Sequence, residues 1–303
     1  MNAVPVVSQA RAAAGYPVVP APEDDIAATP AALGAWTTAA PAPGSWRRLW
    51  NRPGVPGLVA VLGVLGLWWG VTATGLIAPL FLPPPAAVGA KFVQVASRGF
   101  MDATLLEHAG ASLDRVALAL LLALATAIPL GLWIGLSRSA RGLLDPLIEF
   151  YRPVPPLAYL PLIVIWFGIG ELSKVLLIAL AIFAPVVIAT STGVRTVDET
   201  RLRAARAFGA TPRQLLRHVV LPGALPHILT GVRVGLGVGW STLVAAELVA
   251  ATRGLGFMVQ SAAQFLSTDI VVLGIFAIAL IAFALELALR ALQRRLVPWE
   301  GKA

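Results

Sequence analysis

Val116 to Leu136 reads VALALLLALATAIPLGLWIGL, 21 residues without a charge. At about 1.5 Å of rise per residue, a helix of that length is about 30 Å long, the thickness of a bilayer's hydrocarbon core. Pro129 inside it marks a kink. Comparable runs lie on both sides: Leu58 to about Ile77, Pro153 to Gly170, Val175 to Val194, Leu225 to about Ala251 and Ile270 to about Leu289. The sequence therefore predicts an all-α polytopic membrane protein with six transmembrane helices. The run from Pro153 to Gly170 carries prolines at 153, 155, 156 and 161, which predicts a helix broken at its cytoplasmic end. Broken backbone at membrane depth persists only where protein or water satisfies it.

Composition agrees. Of 303 residues, 58% are hydrophobic and 13% charged, and mean hydropathy is +0.82. A soluble domain is roughly a quarter charged. The chain has no cysteine, which excludes disulfide frameworks, thiolate zinc sites, iron–sulfur clusters and a cysteine nucleophile. Residues 1–45 contain no uninterrupted apolar run, and prolines at 5, 17, 20 and 22 break every candidate signal segment. They are expected to form a disordered cytoplasmic tail without a cleaved peptide, ahead of a membrane domain over 46–303.

The net charge of +8 suits nucleic acid, anionic lipid or the positive-inside bias of membrane proteins, and position separates these. With the N-terminus in the cytoplasm, the inner segments hold Arg47, Arg48, Arg52, Arg138, Arg141, Arg195, Arg201, Arg203, Arg206, Arg213, Arg217, Arg290, Arg294, Arg295 and Lys302. The outer ones hold Lys91, Arg98, Lys174 and Arg253. Fifteen against four assigns the basic balance to topology, with both termini inside and no nucleic-acid partner.

Between the fourth and fifth runs, Arg195 to Leu221 is out of character, with arginines plus Asp198 and Glu199. It predicts a helical hairpin outside the bilayer. Thr200 to Phe208 forms one arm and Gly209 supplies the stop. Thr211-Pro212-Arg213-Gln214 opens the other as N-cap, first-turn proline and capping-box Gln, and Leu221-Pro222-Gly223 is expected to end it. A solvated basic loop at lipid headgroups is the plainer alternative. The spacing weighs against it: Arg203-Ala204-Ala205, three residues, Gly209, nine residues, then Val219-Val220-Leu221-Pro222. This resembles the EAA loop of the permease subunits of ABC importers, Glu-Ala-Ala, x3, Gly, x9, Ile-x-Leu-Pro, with Arg203 in place of the usual Glu. The resemblance implies that Arg203, Ala204, Ala205, Gly209, Leu221 and Pro222 belong to a coupling loop, at about 195–224, that docks in a cleft of a partner ATPase. No G-x-x-x-x-G-K-[ST] phosphate loop occurs, so this chain is not expected to hydrolyse ATP or to bind a cofactor.

From about Trp50 onward the chain is similar to the nitrate, sulfonate and taurine branch of these permeases, its taurine-transporting members above all. The similar runs are Phe100 to Thr104, Glu149 to Pro156, Gly237 to Glu247, Ala250 to Met258 and Arg294 to Trp299. The resemblance implies the type I importer permease fold in the bacterial inner membrane. It implies a homodimer with two cytoplasmic ATPase subunits and a periplasmic substrate-binding protein, importing taurine or a close alkanesulfonate.

For the translocation path the candidates are Glu149, Arg152, Trp240, Ser241, Thr242 and Glu247. Glu247, an acid within the fifth span, is expected to line the path or to pair with a cation such as Arg253. Glu149 and Arg152, three apart, suit an intrahelical ion pair or a gate. Trp240, Ser241 and Thr242 offer aromatic and hydroxyl groups to a small polar solute, or simply pack. Asp114 and Arg115 are expected to be interfacial. Gly231, Gly235 and Gly239 form a small-residue stripe for close helix approach, as do Gly66 and Gly70. His108, His218 and His227 have no second ligand at metal spacing. A secondary, ion-coupled carrier of small organic anions is the rival reading, with Glu149, Glu247 and Glu286 as its acids. A membrane-bound enzyme lacks any catalytic constellation.

Overall fold

The computed structural model describes residues 54–299. The expected tail over 1–45, together with Arg47, Arg48, Arg52 and Lys302, lies outside them. The helices, in chain order, are α1 (Val55–Ala73), α2 (Pro85–Arg98), α3 (Leu105–Leu136), α4 (Arg138–Tyr151), a 3-10 turn (Pro156–Tyr159), α5 (Leu160–Phe167) and α6 (Glu171–Arg195). Then follow α7 (Glu199–Ala207), α8 (Pro212–Leu215), a π-helical turn (Leu216–Val220), α9 (Leu221–Ala250), α10 (Leu255–Gln264) and α11 (Thr268–Leu296). The chain divides after Val64 into two compact units. The described part of the first is the opening of α1; the core, the ion cluster and the cavity below all belong to Leu65–Ala303.

Five stretches are long and apolar enough to cross a bilayer: α1, α3, α6, Pro212–Val249 and α11. The expected third span differs. Its prolines leave a 3-10 turn and the eight residues of α5, too short to cross alone at about 1.5 Å each. Joined with α4 across a 90° bend it makes a sixth apolar segment. Glycine closes α5: Gly168 sits at φ +77°, where a side chain would be strained.

The second span starts eleven residues before the uncharged run does, because Thr104 and Glu107 form a capping box that draws the helix back to Leu105. The extra turns bring His108, Ser112 and Arg115 into the protein interior.

α6 runs between α3 and α9, and two stripes of small residues explain why. On α3, Ala119, Ala123, Ala127, Gly131 and Gly135 recur every fourth residue, and a Cβ on Gly131 would lie 2.6 Å from Thr190 Cβ. On α9, Gly231 and Gly239 press against Ala189 and Ile182 at 2.3 and 2.6 Å from where a Cβ would stand. Between the stripes α6 contributes the bulk: Leu177, Ile178, Ile182, Val186 and Val187, all fully buried. Gly66 and Gly70 differ: nothing lies within 4 Å of either. A second core, from Val88 and Val95 of α2, Leu255, Met258 and Ala262 of α10, and Ile270 and Leu273 of α11, seats α10 across the bundle end.

Candidate functional site

Three features stand out: a hairpin projecting from one end of the bundle, a cavity against α6 and α9, and a buried ion cluster at the other end.

The hairpin is made by caps. Asp198 accepts a hydrogen bond from Thr200 N–H at 2.8 Å and opens α7. Phe208 closes it, and Gly209 turns the chain at φ +79° with open space where a Cβ would be, so the conformation and not crowding selects glycine. Thr211 and Gln214 close a capping box around Pro212. The expected end at Leu221-Pro222-Gly223 is not there. The second arm continues without interruption into α9, because the turn at Leu216–Val220 widens to π geometry, with Leu221 N–H bonded to Leu216 O. A widened turn makes room for the ring of Pro222, which in an α-helix would strike the carbonyl four residues back.

Arg203 and Ala204 are exposed, Ala205 half-buried, Leu221 exposed and Pro222 half-buried. Arg203 bonds Glu199 one turn earlier at 2.8 Å, and that carboxylate raises its pKa further. The most prominent group is one the sequence reading passed over: Phe208, at the tip, is 92% exposed. Beside it Ala205, Gly209, Ala210, Gln214 and His218 line a shallow hollow. The tip is thus an exposed apolar knob between two capped helices. Its only sequence signal is an aromatic residue directly before the turn glycine.

The cavity, about 710 Å³, lies where α4 ends, against α6 and α9. Its walls include Tyr151, Arg152, Pro185, Thr192, His227 and Thr230. Tyr151 anchors the bend: its hydroxyl donates to Leu180 O at 2.9 Å and its ring stacks on Tyr159 at 5.7 Å. Pro185 lacks an N–H, so the Ala181 carbonyl, four residues back on the same wall, loses its helical donor.

Of the six path candidates only Arg152 lines this space. Glu149 is exposed one turn away, and among the described ion pairs none joins the two. Trp240 is buried in the α6–α9 core with its indole N–H unpartnered. Ser241 and Thr242 turn their hydroxyls back to Gly237 O and Val238 O in their own helix.

Glu247 sits at the opposite end, wholly buried. Its cation is Arg115, not Arg253. Arg115 Nη1 lies 2.6 Å from Glu247 Oε1 and also donates to the carbonyl of Arg253 at 2.7 Å. Its Nε and Nη2 grip Glu171 at 2.6 and 2.8 Å, and Lys174 bonds the same carboxylate at 2.8 Å. Ser112 Oγ and Gly256 N–H, both at 2.8 Å, complete the shell of Glu247. Next to it Gly254 N–H donates to His108 Nδ1 at 3.1 Å, so Nε2 carries the proton and donates to Phe100 O at 3.0 Å. The cluster ties α3, α6, α9 and α10 together. Arg115, expected to be interfacial, is 5% exposed.

Residues 127–298 match the family model described as the binding-protein-dependent transport system inner membrane component. Over 247 residues the chain is 64% identical to the taurine transport system permease protein TauC of Escherichia coli (strain K12), covering 81% of this chain and 89% of that protein. It is 35% identical to the putative aliphatic sulfonates transport permease protein SsuC of Bacillus subtilis (strain 168), covering 86% and 91%. Among solved structures, an inward-facing form of the MetNI methionine ABC transporter superposes with a TM-score of 0.53 at 17% identity, covering 63% of this chain and 95% of that one. That likeness concerns the fold alone.

Proposed function

The chain belongs to the family of inner membrane components of binding-protein-dependent transport systems, and from that premise we propose that it imports taurine or a related alkanesulfonate. It is the multi-pass, non-catalytic permease of an ABC importer, working with a separate ATPase and a substrate-binding protein. Its proposed assembly is a homodimer with two ATPase subunits, both termini and the α7–α8 hairpin in the cytoplasm. ATP is spent on the partner, and the chain itself holds no cofactor.

The observation that carries this reading is mechanical continuity. The hairpin whose tip is Phe208 joins α6 at one arm and α9 at the other, and those two helices wall the cavity. A push on Phe208, Ala204 and Ala205 moves α6 and α9 with no flexible joint between Pro212 and Ala250. The small-residue stripes of α3 and α9 bring both helices close against α6, so the three move as packed neighbours. In the cavity, Arg152 offers one cation to a sulfonate, while Thr192, Thr230 and Tyr151 offer polar atoms to the rest of the solute. One cation in a wide space favours passage over retention, as a conduit needs.

The proposed substrate follows the names of the relatives and the charge of Arg152 together. The ion-coupled carrier is not favoured: Glu247 and Glu286 are engaged by arginines, and Glu149 is exposed, so the described spans offer no free buried acid among the three. Uptake of labelled taurine by proteoliposomes holding the chain, its ATPase and its binding protein tests the reading. Uptake that needs ATP and all three supports it; uptake driven by an ion gradient without the ATPase contradicts it.

A further inference from the structure

Away from the hairpin and the cavity, Arg233 of α9 and Arg290, Gln293 and Arg294 of α11 enclose a polar cleft of about 590 Å³, floored by Val297 and Pro298. Among the described residues, one carboxylate serves it. Glu286 Oε1 lies 3.3 Å from Arg233 Nε and 2.7 Å from Arg290 Nε. Among the described residues, three guanidinium groups against this carboxylate leave a surplus of two positive charges.

The face of α11 that leads into the cleft is apolar and largely exposed, with Phe276 at its far end stacked on Trp68 at 5.7 Å. Phe276, Leu280, Phe283 and Leu287 recur at four, three and four residues, and each is about half exposed or more. Continuing at three and four, the same face reaches Arg290 and Arg294. From Phe276 to Leu287 the stripe is about 16 Å long at 1.5 Å per residue, close to one leaflet of a hydrocarbon core. Trp299, also half exposed, stands just past the arginines, where interfacial aromatics belong.

We propose that this cleft binds the headgroup of an anionic glycerophospholipid of the cytoplasmic leaflet, with an acyl chain along Phe276, Leu280, Phe283 and Leu287. The inference rests on the membrane topology proposed above. The guanidinium groups match a phosphate bidentately, and the stripe supplies what a soluble anion has no use for. Bound there, the lipid bridges α11 to α9, whose N-terminal end continues into the hairpin.

The test reconstitutes the full chain with its ATPase in vesicles of equal parts phosphatidylcholine and phosphatidylglycerol, extracts it in mild detergent, and reads retained lipid by native mass spectrometry. Phosphatidylglycerol is retained preferentially, and Arg294→Gln lowers its occupancy about fivefold, the effect of removing one cation near a membrane surface. Arg295→Gln, adjacent but outside the cleft, leaves occupancy nearly unchanged. Equal losses in both variants, no preference for the anionic lipid, or displacement by soluble glycerol phosphate as readily as by the lipid overturns the proposal. So does a Phe283→Cys variant that cross-links to a second copy or to the ATPase. Taurine uptake by the same vesicles, supplied with ATP and the substrate-binding protein, separates the two readings: intact uptake without lipid preference sinks only this inference, and lost uptake with lipid preference sinks only the substrate reading.

Discussion

Arg115 Nη1 and Glu247 Oε1 lie 2.6 Å apart although 132 residues separate them, and neither side chain has appreciable solvent exposure. Two charges out of water hold together only while both are present. Arg115→Met therefore strands a buried carboxylate and is expected to destabilise the chain by about 3–5 kcal/mol. Glu247→Gln costs less, since Ser112 keeps an acceptor. Combining Arg115→Met with Glu247→Met recovers much of the loss. Thermal unfolding in detergent ranks the three; strictly additive losses contradict the coupling.

Gly254 and Gly209 both have positive φ, at +135° and +79°, but only Gly254 is crowded, with Glu247 carboxylate atoms 2.4 to 2.6 Å from a built Cβ. Gly254→Ala is expected to destabilise about as much as removing Arg115. Gly209→Ala meets open space and carries only the local strain, about 1–2 kcal/mol. Melting temperatures of the two variants check the order; a reversal refutes this account of the glycines.

At the hairpin tip, Phe208→Ala is expected to leave insertion and folding intact and to weaken docking of the ATPase by about 2 kcal/mol or more, as at an aromatic anchor. Gly209→Asp, which puts a charge beside the same hollow, acts in the same direction. Co-purification of the ATPase together with ATP-driven uptake provides the readout, and full coupling in both variants removes the hairpin from the mechanism.

In the cavity, Arg152→Gln is expected to reduce uptake of a sulfonate about tenfold, and Arg152→Lys to restore most of it, since a point charge and not a bidentate fork is what a passing anion needs. Thermal stability stays level because Arg152 is exposed. Uptake indifferent to the charge at this position separates Arg152 from the path.

What the sequence disclosed was local. Five of the six apolar runs are helices because length and hydropathy alone decide a membrane span, and the Thr211–Gln214 capping box is legible because its parts are three residues apart. The prolines near 153–161 announced a break, while its 90° bend depends on Tyr151 reaching Leu180, which no local pattern encodes. Leu221-Pro222-Gly223 has the composition of a stop, and only a π turn upstream turns it into a continuation. Arg115 lies one residue before an apolar run and so suggested an interface; its burial follows from the Thr104–Glu107 cap and from two acids on distant helices. Arg253 is near Glu247 in sequence, yet offers its carbonyl to Arg115 and not its charge to Glu247.

The central claim is that a separate motor pushes on the α7–α8 hairpin from the cytoplasm. Photoreactive benzoylphenylalanine in place of Phe208, irradiated in intact cells that make the whole importer, tests it most directly. The account predicts a cross-linked product containing the ATPase subunit and lost in Gly209→Asp; cross-links only to lipid, or labelling of that position by an impermeant reagent from outside the cell, contradict it.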